Sequence, residues 1–172
     1  MSKKRSKLII VVVLIGMVIL YLSVQFYKSY IPSGILWNNG ISSSDVMLVS
    51  KENSQFHHYL YEKNNELKGV ITLQKKGSFW SLYYHGTGFY LQEESPDVEL
   101  VKTFYGSYKD NSPTHIPVWG GLVNIGDENS FSIRSKNKVH SPNLAAEVDG
   151  KIYFFFSSPE ITGEDTIEVT KP

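Results

Sequence analysis

The chain begins with one long apolar run. Residues 8–24 contain no charge, proline or amide, and Lys3, Lys4, Arg5 and Lys7 precede them. A helix over residues 8–27 rises about 1.5 Å per residue and so spans about 30 Å, the thickness of a bilayer's hydrocarbon core. A buried core helix keeps a polar stripe, and this run has none. The pattern therefore predicts a transmembrane helix over residues 8–27.

The flanking charges predict an orientation for this helix. Four basic residues precede the apolar run, whereas Lys28 is the only basic residue close behind it. The positive-inside rule then places residues 1–7 in the cytoplasm and the chain from residue 28 outside the cell membrane. A cleaved signal peptide is the competing interpretation, but bulky residues occupy nearly every candidate cleavage position. We therefore expect an uncleaved signal-anchor, a single-pass protein with the lipid bilayer as its partner.

Residues 28–44 have the composition of a stalk. Pro32, Gly34 and Asn38-Asn39-Gly40 are expected to break regular structure there, although Ile35, Leu36 and Trp37 could lie on the membrane or tuck under the domain. Residues 45–172 are long enough for one extracytoplasmic domain with its own core.

From residue 45 onward the apolar positions follow the two-residue period of a β-strand. Residues 56–63 and 67–74 form a predicted hairpin around Asn64-Asn65, with Leu67 and Ile71 on one face and Val70 on the other.

The second half of the chain continues this period. Asp149-Gly150 predicts a tight turn into residues 151–157, whose two faces are both apolar and are therefore expected to be covered. Residues 95–106 fit a capped helix or a strand, and their β-branched and aromatic content favours a strand. We predict an all-β domain of eight to ten short antiparallel strands, in a β-sandwich or an open barrel.

Charge and composition exclude several functions. Residues 29–172 contain all seventeen acidic and twelve of the seventeen basic residues, a formal charge of −5, which argues against binding nucleic acid. The chain has no cysteine and so no disulfide or thiolate site. His57 and His58 would point to opposite faces of a strand, so they cannot share a metal ion. The acidic cluster Glu93, Glu94, Asp97 and Glu99 is interpreted as a solvated face. We expect no cofactor or metal.

Aromatic side chains are the candidate ligand surface. Exposed rings could stack on a sugar or a peptide, and buried rings could instead form the core of a domain without disulfides. The candidate residues are Trp80, Tyr84, Phe89, Tyr90 and Trp119.

Bacterial type I signal peptidases share the layout of one span and a β-rich domain, but this chain lacks their chemistry. Ser33 stands between Pro32 and Gly34 rather than in Ser-Met-x-Pro, and no lysine base accompanies it. We therefore expect a non-catalytic binding or interaction module at the membrane face, with a membrane or envelope protein or a small ligand as its partner. The alternative is a cell-envelope hydrolase that acts through a carboxylate-containing cleft.

A broader likeness rests on five short segments. These are residues 59–63 (Tyr-Leu-Tyr-Glu-Lys), residues 69–71 (Gly-Val-Ile), Trp80, residues 121–123 (Gly-Leu-Val) and residues 146–156. In this layout the chain resembles small membrane-anchored Gram-positive extracytoplasmic β-domain proteins of unknown function. The resemblance implies an extracytoplasmic β-domain and assigns no functional residue.

Overall fold

The computed structural model describes residues 3–51, 54–87, 90–92, 95–109, 112–124, 131–162 and 164–170. In these residues two helices, α1 (Lys3–Tyr30) and α2 (Pro32–Asn38), precede the strands. The strands are β1 (Val46–Ser50), β2 (Phe56–Lys63), β3 (Glu66–Lys76), β4 (Phe79–Thr87), β5 (Tyr90–Gln92), β6 (Ser95–Lys109), β7 (Ser112–Asn124), β8 (Ser132–Ser135), β9 (Lys138–His140), β10 (Leu144–Val148), β11 (Lys151–Phe156) and β12 (Glu168–Thr170).

The strands form three antiparallel sheets. The first sheet has the order β1-β2-β3-β4, the second has β10-β11-β7-β6-β5 and the third has β12-β8-β9. The prediction of a mostly β domain behind one apolar N-terminal helix is therefore confirmed, with twelve strands in the described residues rather than eight to ten. Residues 95–106 lie in the long strand β6, so the strand interpretation of that segment is also confirmed.

The second sheet is packed on both faces. On β11, Tyr153 and Phe155 contact Leu60 and Val70 of the first sheet, in a cluster that also includes Leu48, Leu67, Val101, Val118 and Leu122. Phe154 and Phe156 belong to a separate cluster with Ile133 and Val169 of the third sheet. Since side chains alternate along a strand, a strand between two apolar layers must be apolar at every position. The predicted double coverage of residues 151–157 is confirmed.

The expected break of regular structure at Pro32 and Gly34 is wrong, because both residues lie in α2. The alternative that Ile35 and Leu36 tuck under the domain is confirmed. Ile35, Leu36 and Ile41 are buried against Tyr61, Ile71 and Leu73 on the outer face of the first sheet. Pro32 occupies the first turn of α2, where a missing N–H costs nothing. Gly34 lets α2 approach α1, since a Cβ atom there would lie 2.0 Å from the carbonyl oxygen of Tyr27.

Both predicted tight turns are present, and one strand face differs from the prediction. Asn64 and Asn65 have φ angles of 56° and 61°, and Asp149 and Gly150 have 51° and 74°, as two-residue hairpin turns require. The pairing of β2 with β3 shifts at Tyr61/Glu62. This bulge turns Leu67 toward the second sheet with Val70, and not to the face of Ile71 as predicted.

Candidate functional site

The predicted aromatic surface is divided between the core and the exterior. Trp119 is only 6% exposed and packs between the second and third sheets. Trp80 is half-buried on β4 and stacks on His57, with 4.2 Å between ring centroids. Tyr84 is 40% exposed and meets Phe104 edge-on at 5.9 Å. Phe89 lies outside the described residues, as does the side chain of Tyr90. The described candidates do not share one surface.

The histidine pair divides between the two faces of β2, as alternation predicts. His57 is half-buried beside Trp80, whereas His58 is fully buried and its Nδ1 lies 2.9 Å from the Thr72 hydroxyl. Within the described ranges, no three His, Cys, Asp or Glu side chains gather as metal ligands would.

The acidic cluster provides no cleft in the described part of the chain. Glu99 is half-buried, and its Oε2 accepts a hydrogen bond from the backbone N–H of Leu67 at 3.0 Å. Asp97 is exposed, while Glu93 and Glu94 lie outside the described residues. Glu99 therefore ties β6 to the start of β3, which is a structural task.

A polar cleft lies where two hairpin turns and the entry to β1 meet. Its volume is about 340 Å³. It is lined by Ser44, Asp45, Met47, Glu62, Lys63, Asn64, Asn65, Asp149, Lys151 and Tyr153. The Asn64-Asn65 turn of the first sheet forms one wall, and Asp149, in the β10–β11 turn of the second sheet, forms the other. The cleft therefore opens between the ends of two sheets.

Glu62 forms the floor of this cleft. Its side chain is 6% exposed and lies 2.7 Å from Lys151 Nζ through Oε1. The hydroxyl of Tyr153 donates a hydrogen bond to the other carboxylate oxygen, Oε2. Lys151 Nζ also donates to the carbonyl oxygen of Asn65 at 3.3 Å. These bonds compensate the buried charge and fasten the first sheet to the second.

Local strand geometry explains how these three side chains meet. Lys151 and Tyr153 are two residues apart on β11 and therefore project from the same face. Glu62 is in phase with the buried residues His58 and Leu60 on β2. The sequence carried this signal, because an acid on a buried face of a strand requires a buried partner. The partner residues, 89 and 91 positions further on, cannot be identified from local pattern.

Tyr153 and Asp45 each have a pKa that is shifted by their surroundings in the cleft. Burial, then the hydrogen bond to Glu62, raise the pKa of Tyr153 well above its ordinary value, so its hydroxyl stays a donor. A general acid or base must reach a proton on the substrate, yet both Glu62 oxygens already accept hydrogen bonds inside the protein. Asp45 accepts a hydrogen bond from the Ser42 N–H at 2.7 Å, which lowers the pKa of its carboxyl.

No protein-family model, curated protein or solved structure matches this chain. Any functional conclusion therefore rests on the geometry of the chain itself.

Proposed function

We propose that this chain is a single-pass membrane protein whose domain, residues 45–172, binds a protein or small ligand outside the cell. The main supporting observation is the segment Leu8–Tyr30 of α1, which is 23 residues long and contains an 18-residue window with a mean hydropathy of 2.8 and no buried residue. An exposed helix that is apolar all round needs a lipid environment. A cleaved signal sequence can share these properties, so retention and orientation belong to the proposal.

Contacts at the end of α1 support retention of the helix. Phe26 and Tyr30 pack on Phe79 of β4, with ring centroids 5.7 and 5.4 Å apart. Gly34 of α2 lies against the backbone of Tyr27. Cleavage after Phe26 or any later residue would remove part of this packing, whereas an uncleaved helix is continuous with the domain.

The cleft supports binding as the activity of the domain. It is concave, polar and carries carboxylate, ammonium, amide and hydroxyl groups at its surface. The hydrolase alternative gains support from Asp45, Glu62 and Asp149, which line the cleft together. It is weakened by Glu62, whose two oxygens are engaged by Lys151 and Tyr153. Binding therefore explains the arrangement better than hydrolysis.

Single cysteines test the topology, because the chain contains none. Ser141 is exposed in the domain and Ser6 precedes the apolar segment. In intact cells a membrane-impermeant maleimide is expected to label Ser141→Cys, and Ser6→Cys only after lysis. The reverse pattern contradicts the orientation. N-terminal sequencing of the membrane fraction checks retention: a mature chain that begins near residue 30 contradicts the anchor.

A photoreactive residue tests the cleft. Ser44 is exposed at the cleft, and Val139 is 65% exposed on β9 in the third sheet. We expect discrete cross-linked products in cells from position 44 and none of these products from position 139. Identical products from both positions would show that the cleft is not the binding site.

A further inference from the structure

Exposed aromatic side chains and two lysines gather where α1 meets the domain. We define this junction surface as Phe26, Lys28, Tyr30, Trp37, Lys76 and Phe79. Phe26, Tyr30 and Phe79 form one contact group with ring centroids 5.2 to 5.7 Å apart. Lys28 Nζ lies 4.6 Å from the ring centre of Trp37. Lys76 is exposed and pairs with Phe79 across the β3–β4 turn.

The rings of the junction surface are unusually open to solvent. Trp37 is 55% exposed, although the adjacent Ile35 and Leu36 are buried. Phe79 is 47% exposed at the tip of a hairpin. Singly exposed apolar residues need no explanation, but the contact group of Phe26, Tyr30 and Phe79 indicates an interaction surface. Trp37 adds a fourth exposed ring beside Lys28 at the same end of α1.

The position of the bilayer surface along α1 indicates what these rings contact. The segment Leu8–Tyr30 is 23 residues long. At about 1.5 Å per residue it measures about 34 Å, slightly more than the roughly 30 Å hydrocarbon core. Its last turn, with Phe26 and Tyr30, therefore falls at the headgroup level when the helix spans the bilayer. Trp37 and Phe79 are next to that turn.

We propose that the junction surface docks on the lipid headgroups around α1, so that the domain lies on the membrane. This inference rests on the proposed membrane anchor. Aromatic rings with a polar edge favour the interface between headgroups and acyl chains. Lys28, near the end of α1, would extend its ammonium group to the lipid phosphates, as lysines near the ends of membrane helices do, and Lys76 would face the same headgroups. A second copy of the chain is a poorer occupant, because two such surfaces would bring lysines together.

Fluorescence of the full chain in lipid vesicles tests the docking. Trp37, Trp80 and Trp119 are the three tryptophans of the chain. Lipids brominated near the top of the acyl chain are expected to remove a large part of the emission of W80F/W119F, which retains Trp37. They should leave W37F/W80F unchanged, because Trp119 is in the core. W37F alone keeps the native core and should lose most of the quenching seen in the wild-type chain. It therefore controls for misfolding of the double variants.

Vesicle flotation separates the docking from the anchor. A chain that floats with the vesicles while Trp37 escapes quenching overturns the docking and leaves the anchor standing. A chain that does not float overturns both. Trp37 quenching that disappears as the protein-to-lipid ratio rises would assign the surface to a second copy, and that result also overturns the proposal.

Discussion

Acid should weaken the domain through one buried histidine. His58 is fully buried between the first and second sheets, near the rings of Tyr105 and Phe155. Its Nδ1 is 2.9 Å from the Thr72 hydroxyl, which is 2.7 Å from that of Thr103. Burial, and then the neighbouring charge of His57, lower the pKa of His58 from 6.5 to about 4.

The direction follows from the two protonation states. Between pH 4 and 6.5 the unfolded chain binds a proton at this position and the folded chain does not, so folding stability rises with pH. The stabilisation is complete above pH 6.5 and is lost as the pH falls toward 4. The two pKa values differ by about 2.5, which at about 1.4 kcal/mol per pH unit amounts to about 3 kcal/mol. A domain is held by only about 5 to 15 kcal/mol.

Denaturant melts of the full chain in detergent, from pH 7.5 to 4, measure this effect. We expect the wild type to lose about 3 kcal/mol more than His58→Asn over that range. His57→Asn is the matched control: the pKa of His57 is also lowered, mainly by desolvation, but its half-buried ring should contribute less. An equal pH dependence in His58→Asn and the wild type would refute the reasoning. If His58→Asn does not fold, an NMR titration of the wild type replaces it, and a His58 pKa near 6.5 would refute the reasoning.

Three further predictions concern the packing and are checked by denaturant melts. Glu62→Gln should cost about 3 kcal/mol by leaving the half-buried ammonium group of Lys151 beside a neutral amide, and adding Lys151→Met should restore part of the loss; a strictly additive double variant would argue against the pair. Phe154→Ala should cost about 3 to 5 kcal/mol, and Tyr153→Ala as much, since Tyr153 is only 2% exposed; two small losses would place β11 outside the core. Gly121→Ala should cost about 1 to 3 kcal/mol, because the added Cβ would lie 2.3 Å from the ring of Phe154; a neutral result would show that β7 and β11 are less tightly packed.

The local sequence pattern predicted those elements whose structure depends only on nearby residues. The apolar composition of residues 8–27 predicts α1, and the Asp149-Gly150 turn with its doubly apolar strand predicts β11 and its neighbour β10. Each signal lies within about twenty residues and concerns one element. Such features depend on propensity and period rather than on the rest of the fold.

Features that depend on residues far apart in the sequence could not be predicted from local pattern. α2 is a seven-residue helix, too short to be stable alone, and its burial against Ile71 and Leu73 holds it in place. The face of Leu67 depends on a bulge in the pairing with β2, which no single-strand pattern reveals. Composition also could not predict which aromatic residues are buried, since Trp119 is in the core and Trp37 is exposed.

The cleft and the junction surface lie at opposite ends of β3, so the two proposals constrain each other. β3 begins at Glu66, next to the turn that walls the cleft, and ends at Lys76 in the junction surface. Its eleven residues rise about 3.3 Å each, so the two surfaces can be up to about 35 Å apart along the strand. A domain that rests on the bilayer through the β3–β4 turn would then hold the cleft away from the lipid. A cleft held away from the bilayer suits a ligand that arrives from solution or from an opposing surface, rather than one that diffuses within the membrane.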